Sequence, residues 1–264
     1  MVVLSLLIAL ILERLRITPE GWRLEPTANR WDEWLRDHEQ LGSWRQHDLL
    51  GPLLLISPAI VLALLLWLSN SILAMLIINV LVLTLAIGCR AQRNALRQFL
   101  LAANRGDEEA RKEFAAELRY VNDDELTIGQ QLVWLNFRYY FAVAFWFAIF
   151  GAAGALAYTL LRARSESVPK LLAWIEWLPL RAAGFGFLLV GHFSRALPQW
   201  LKSFSAGVDN PPKILGELAS TAEEVLAEED DHTSEPDALV NLVRRNMVLL
   251  LAVVAVATLF GWAL

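Results

Sequence analysis

Ionisable residues inside or beside apolar segments are the groups in this sequence that could do chemistry. Arg138 stands at the start of a long uncharged run, and Glu176 and Arg181 flank Pro179 in another apolar segment. Charge is costly at membrane depth, so such residues line a cavity or pair with one another. The candidate ligand-binding residues are Arg138, Arg181, Glu176, Asn136, His192, Glu13 and Arg14.

Two interpretations of these residues fit the sequence. In the first, they form a polar pocket for an anionic or zwitterionic ligand, whose carboxylate or phosphate groups bind the planar guanidinium groups of Arg138 and Arg181. In the second, they form an intramembrane salt bridge that joins helices. Pro179 also frees a backbone carbonyl, which a buried Arg181 could bind.

Motifs of the common catalytic and cofactor sites are absent from the sequence. It has no GxxxxGK[ST] phosphate loop, no HExxH and no GxSxG. His38, His47, His192 and His232 lack metal-ligand spacing. The single cysteine, Cys89, excludes an intrachain disulfide, and the net charge of −5 without a basic patch argues against nucleic acid. The sequence therefore predicts no catalytic residue, metal or cofactor.

Apolar helices are the elements that must carry the candidate residues. The chain has 264 residues, of which 56% are hydrophobic and 19% charged, against about 45–50% and about 25% in ordinary globular domains. About 20 apolar residues cross the roughly 30 Å of hydrocarbon in a bilayer. The predicted spans are Leu53–Ser69, Ile72–Cys89, Tyr139–Leu161 and Met247–Leu264. Met1–Leu12 is too short to cross alone, and Leu171–Phe193 is predicted to be broken or re-entrant.

The predicted fold is therefore all-α: a polytopic membrane protein with four to five transmembrane helices, amphipathic cytoplasmic helices and one broken or re-entrant helix. One membrane domain covers 1–264. Within it, 13–52 is predicted to be a cytoplasmic or interfacial helical segment, 90–138 a cytoplasmic helical hairpin and 205–245 an acidic cytoplasmic linker. Basic residues favour the cytoplasmic side for the first two. The basic stretch 162–170 would then lie outside, unless it is buried against the bundle.

Two polar segments are predicted to be helical. Pro26–Arg45 has a tryptophan-rich stripe, which suits either the membrane interface or packing against another helix. Gln92–Val121 contains two apolar stripes that are separated by Asn104–Gly106, with Asp107 as the N-cap of the second helix.

Several stretches of the sequence together resemble the AmpE family. They are Leu10–Leu15, Trp134–Tyr140, Trp177–Arg181, Gly191–His192 and Ala196–Trp200, and they extend over essentially the whole chain. The resemblance implies a multi-pass protein of the bacterial inner membrane with a part in β-lactamase regulation, peptidoglycan recycling and the response to cell-wall fragments. It implies a non-enzymatic role, with a muropeptide-like ligand or a cytoplasmic partner such as the AmpD amidase.

A more distant similarity connects the sequence to the CobD/CbiB membrane proteins of cobalamin biosynthesis. It lies in Gly106–Arg111 and Glu176–Arg181. The resemblance implies an alternative function, a membrane enzyme with altered or lost ATP-dependent amide-forming activity. Acidic residues expected in that family are replaced here, for example by Arg138 and Tyr120. Because a Mg–ATP site needs anionic ligands, these departures favour a binding or signalling protein on an old enzyme scaffold.

Overall fold

A computed structural model provides the structure of the protein, and it describes residues 1–15, 24–38, 50–69, 71–87, 90–118, 125–205, 207, 210–223 and 233–261. These residues are predominantly helical, and no strand occurs among them, so the predicted all-α class is confirmed. Some predicted features lie outside the described residues. They are Cys89, His47, His232, Tyr120 and the centre of the acidic run at 224–232.

In chain order the described helices are α1 (Val2–Arg14), α2 (Leu24–Asp37), α3 (Leu50–Leu55), α4 (Ser57–Leu68), α5 (Ile72–Ala86), α6 (Arg90–Arg105), α7 (Glu108–Leu118), α8 (Ile128–Asn136), a π-helical turn (Phe137–Phe141), α9 (Ala142–Ala163), α10 (Pro169–Val190), α11 (Phe193–Ser205), α12 (Pro211–Glu223) and α13 (Ser234–Leu259). Three stretches are long and apolar enough to cross a membrane: Ile128–Ala163, Pro169–Val190 and Ser234–Leu259. The helices α4 and α5 are shorter and also apolar.

The chain divides into two compact units, each built from separate stretches of sequence. The first consists of Met1–Gly88, Ala142–Ile175 and Ala252–Leu264, and the second of Cys89–Phe141 and Glu176–Leu251. Each of the three long apolar stretches therefore contributes residues to both units.

Helix α9 is the centre of the first unit, because α1, α2, α4 and α5 all pack against it. Its buried surface includes Ala142, Ala144, Ala152 and Ala155. Lipid tails are as apolar as leucine, so close packing of small residues, rather than the hydrophobic effect, stabilises helix contacts in a bilayer. The short apolar segment at the N-terminus forms α1, which packs on α5 and α9.

The break in a membrane helix lies in α9, whereas the sequence predicted it in Leu171–Phe193. Helix α10 continues through Pro179, since one proline removes a single backbone hydrogen bond that a helix in a membrane protein tolerates. In α9 the backbone of Gly151 has φ 64° and ψ −154°, a conformation that is essentially restricted to glycine. A Cβ on Gly154 would lie 2.5 Å from the Trp146 carbonyl oxygen, so the chain approaches itself closely at the break.

Two membrane helices begin earlier than predicted. The run that contains the predicted span Tyr139–Leu161 starts at Ile128, and the helix that contains Met247 starts at Ser234. The first turns of these two helices contain polar residues, so the sequence did not predict them as parts of membrane helices. Gln131 and Asn246 are buried in the protein, however, and Asn246 Nδ2 donates to the Ala183 carbonyl at 3.1 Å.

The predicted helical hairpin of 90–138 is present in the second unit as α6 and α7, which pack on each other. Gly106 has a φ of +71°, which ends α6. Asp107 then caps α7, because its side chain accepts from the Ala110 amide at 3.1 Å. Phe99 and Leu118 pack with Leu132 of α8 in one buried cluster. The cytoplasmic position of the hairpin stays a prediction.

The segment predicted as an acidic linker, 205–245, is helical over most of its described length. Helix α12 buries Leu215, Leu218 and Ala219 and packs against α8 and α11. The many acidic residues led to the prediction of a linker. The apolar residues of α12 nevertheless recur at helical spacing.

Candidate functional site

Arg138 and Glu176 form a buried ion pair with two contacts. Arg138 Nε lies 2.8 Å from Glu176 Oε1, and Nη2 donates to Oε2 at 3.0 Å. The side chains are 15% and 1% exposed, respectively. The Nη2 contact is a hydrogen bond, whereas the Nε contact is an ion-pair contact without hydrogen-bond geometry. The attraction between the two charges is strong where water is excluded. Its two charges neutralise each other.

An aromatic stack supports the Arg138 guanidinium. Its central carbon lies 4.8 Å from the centre of the Trp134 ring, and Trp134 is itself stacked on Phe137 at 5.1 Å. A cation over an indole face is attracted by the ring quadrupole, and burial strengthens this attraction. Trp134 therefore adds a second contact to the guanidinium beside the ion pair with Glu176.

Arg138 belongs to the π-helical turn Phe137–Phe141, which follows α8 directly. A π turn inserts one extra residue into a helix and re-aims the side chains around it, and such turns occur frequently at functional sites. Thr127 starts α8 with a capping box, in which its hydroxyl accepts from the Gln130 amide and the Gln130 side chain accepts from the Thr127 amide. The register of the helix that leads into the turn is thus fixed at its first residue.

Arg181 does not pair with Glu176, and it does not bind a carbonyl freed by Pro179. Its Nη2 donates to the carbonyl oxygens of Ser203 and Gly207, the latter at 2.6 Å. The Arg181 carbonyl in turn accepts from Trp200 Nε1 at 3.0 Å. Arg181 therefore fastens the C-terminal end of α11 to α10, where a cation also complements the helix dipole.

The surroundings of the Arg181 guanidinium are aromatic and uncharged. Its central carbon lies 4.8 Å from the Trp177 ring centre and 5.8 Å from that of Phe204. The residue is 5% exposed, and its Nε is buried without a hydrogen-bond partner. Among the described residues no carboxylate contacts it, so its charge is balanced there only by carbonyl dipoles and ring faces.

The other predicted site residues occupy four different environments. Asn136 donates to the Leu132 carbonyl at 2.8 Å, within its own helix. His192 is exposed, and its backbone amide donates to the Ala222 carbonyl at 2.7 Å. Glu13 and Arg14 belong to the first unit, where Glu13 is buried and Arg14 is exposed. In the described ranges no group of three or more His, Cys, Asp or Glu residues could hold a metal ion.

A second set of buried charges, which sequence reasoning did not assign, lies in the first unit. Arg164 pairs with the fully buried Asp32 of α2, and Arg162 pairs with Glu25 at 3.6 Å and donates to the Ala86 carbonyl at 3.2 Å. Asp32 lies between Ala28 and Leu35 on the buried face of α2. Its spacing from these two apolar residues is the sequence signal for its burial.

Glu235 is another buried acid that the sequence did not single out. It accepts from the Thr127 hydroxyl and, at 3.2 Å, from the Gly129 amide. A Cβ on Gly129 would lie 2.5 Å from Oε1 of Glu235. Only glycine at this position leaves room for the carboxylate. Glu235 thus joins the start of α13 to the N-terminus of α8, where a negative charge is favourable.

The helices and their buried ion pairs define an all-α membrane protein. The model of the family "Regulatory signalling modulator protein AmpE" matches residues 1–264, so the chain belongs to the AmpE family and is a regulatory protein. One relative, Protein AmpE of Shigella flexneri, is 29% identical over 214 residues, which cover 70% of this chain and 74% of that protein. No solved structure matches the chain.

Proposed function

We propose that this regulatory protein spans the bacterial inner membrane several times and takes part in β-lactamase regulation and the response to cell-wall fragments. It acts by binding a small anionic, muropeptide-like ligand, rather than by catalysis. Membership of the AmpE family supports the regulatory role. In this proposal the ligand binds Arg181, and the Arg138–Glu176 pair of the same unit belongs to the site.

The ligand proposal rests on the buried charge of Arg181, which no carboxylate of the described residues compensates. Burial of a guanidinium is costly unless its charge is compensated, and the described residues supply no carboxylate to Arg181. Its Nε retains a free donor. A carboxylate or phosphate of a ligand would supply both the missing charge and the missing acceptor. Arg138, in contrast, already has its counter-ion in Glu176.

Binding of anhydro-muropeptides to the purified full chain tests the proposal. We expect saturable binding by calorimetry, weakened roughly tenfold or more by Arg181→Ala, because a hydrogen bond to a charged group contributes about 1.5–3 kcal/mol. Arg181→Lys keeps the charge and should retain part of the affinity. Arg244→Ala removes an exposed arginine of the same unit, whose side chain contacts Asn241, and is the matched control.

Thermal unfolding of each variant separates binding from folding. Absence of saturable binding by the wild-type protein would contradict the ligand proposal. So would binding that Arg181→Ala leaves unchanged while the variant stays folded. If both Arg181 variants lose binding only where they also unfold, Arg181 is a structural clamp for α11 and not a ligand residue.

A cytoplasmic partner such as the AmpD amidase belongs to the same proposal. The segments proposed to contact it are Pro26–Arg45 and the acidic segment 205–245, which we place on the cytoplasmic side. Co-purification with the amidase should decrease when 224–232 is replaced by a neutral Gly/Ser linker of equal length. Nucleotide-dependent turnover by the purified chain would instead favour the alternative, an enzyme on a CobD/CbiB-like scaffold.

A further inference from the structure

Arg181 lies near the middle of a helix that is long enough to cross a membrane. Helix α10 has 22 residues, Pro169–Val190, and at about 1.5 Å per residue Arg181 is roughly 14 Å or more from either end. An anion that approaches along α10 from the water therefore has to pass nearly half the thickness of the hydrocarbon before it reaches the guanidinium.

The side of α10 that carries Arg181 is otherwise apolar and exposed. Leu178 comes one helical turn before Arg181, and Phe185 and Leu189 come one and two turns after it, so the four residues lie on the same side of the helix. The three apolar residues are 47%, 42% and 52% exposed. On a helix that crosses a bilayer, an exposed apolar surface of this kind contacts acyl chains.

Helix α11 packs over Arg181 and leaves it close to this surface. The helix runs back along α10, since the ring centres of Trp200 and Phe185 are 5.4 Å apart and those of Phe204 and Trp177 are 6.1 Å apart. The Phe204 ring centre lies 5.8 Å from the central carbon of the guanidinium, and Phe204 is itself 44% exposed. The guanidinium is therefore buried directly beneath a partly exposed ring.

The charge of Arg181 has no carboxylate partner at this depth. Within the described ranges, its Nη2 donates to the carbonyl oxygens of Ser203 and Gly207, and its Nε is buried with no acceptor. A cation at membrane depth is costly and pairs with an anion or with polar groups. Because the neighbouring exposed surface is apolar, a ligand that supplies the anion from this side has to be apolar over the rest of its length.

We propose that the ligand of Arg181 is an anionic amphiphile, which reaches the site from the acyl-chain region of the bilayer. Its carboxylate or phosphate group accepts from the guanidinium, including Nε, and its hydrocarbon chain lies on the exposed apolar surface of α10. The inference rests on the ligand site proposed at Arg181, and it assigns the ligand of that site to the class of membrane-borne anions.

Photolabelling with two probes that share one chain tests the class of ligand. The probes are a long-chain alkyl phosphate with a diazirine in its chain and the corresponding uncharged alcohol, added to the full chain in neutral micelles. Mass spectrometry compares labelling of 178–189 with that of Val248–Val256, an exposed apolar stretch of α13. We expect the phosphate-to-alcohol ratio to be about threefold or more higher at 178–189, because charge-assisted hydrogen bonds favour the anion.

Substitutions test whether this excess depends on the guanidinium. Arg181→Met should remove the excess labelling of 178–189 by the phosphate probe, and Arg181→Lys should keep part of it. The control Arg244→Ala, at an exposed position of the same unit, should keep all of it. Thermal unfolding identifies the variants that are folded, and the comparison of the two probes on the wild-type chain decides the inference even where both Arg181 variants unfold.

Three results would overturn the inference. The first is an equal phosphate-to-alcohol ratio for the two stretches. The second is loss of the excess when inorganic phosphate is added at the concentration of the probe, because any small anion then reaches the site from water; the ligand site at Arg181 itself would stand. The third is absence of labelling at 178–189 by either probe, which would indicate that another protein or a second copy of the chain covers this surface.

Discussion

Asp32 and Arg164 lie 132 residues apart in the sequence and form an ion pair in which the carboxylate is fully buried. Arg162, close to Arg164 at the end of α9, pairs with Glu25 of the same helix α2. The two pairs fasten α2 to the C-terminal end of α9 within the first unit. Arg162 and Arg164 belong to the basic stretch 162–170, whose expected position outside the cytoplasm conflicted with the rule that basic loops are cytoplasmic. The charges of both residues are neutralised by contact with α2.

This contact predicts the side of the membrane on which 162–170 lies. Paired residues share one membrane depth, so we expect Asn29→Cys and Glu166→Cys, in a Cys89→Ser background, to react with an impermeant maleimide from the same side. Ser69→Cys, at the end of α4 next to the hairpin turn, should react from the other side. Labelling of 29 and 166 from opposite sides would contradict the prediction.

A double-mutant cycle should show strong coupling between Arg138 and Glu176. Removal of one partner of a buried pair leaves an uncompensated charge and costs about 3–5 kcal/mol, so we expect Glu176→Gln and Arg138→Met each to lower the free energy of unfolding by about that amount. The double variant Arg138→Met/Glu176→Gln should recover a large part. Denaturant titrations in mixed micelles measure all four proteins, and additive losses would show that the pair does not contribute as a unit.

Gly186 should tolerate no side chain while Asn246 is present. A Cβ at this position would collide with Asn246 Oδ1, so Gly186→Ala should lower the free energy of unfolding by about 2 kcal/mol, the usual cost of overpacking. Asn246→Ala makes room for the methyl group but loses the hydrogen bond to the Ala183 carbonyl. The double variant should therefore be more stable than the sum of the two single losses predicts, and a simple sum would refute this close contact.

The break at Gly151 should depend on glycine. Alanine at φ 64° and ψ −154° is strained by about 1–3 kcal/mol, although nothing lies within 4 Å of the added methyl group. We expect Gly151→Ala to lower the melting temperature, with Ala153→Ser as a nearby control that should have little effect. An unchanged melting temperature for Gly151→Ala would mean that the helix passes this point with ordinary geometry.

Local pattern was sufficient to predict much of the fold. Apolar runs predicted where the apolar helices lie, although α4 and α5 are shorter than the spans predicted for them. Glycine and aspartate at 106 and 107 predicted the turn between α6 and α7, which the structure confirms. The same reasoning selected Arg138, Glu176 and Arg181, because charge within an apolar run is conspicuous. These signals depend only on residues within a few helical turns of one another.

The sequence by itself thus determined the helical membrane class and the residues whose charge needs compensation. Only the tertiary structure decided the partners: Glu176 for Arg138, the end of α11 for Arg181 and Asp32 for Arg164. It also located the break at Gly151 instead of Pro179. The physical reason is that periodicity reports which environment a residue prefers, whereas the choice among distant partners of suitable charge depends on how helices pack in three dimensions.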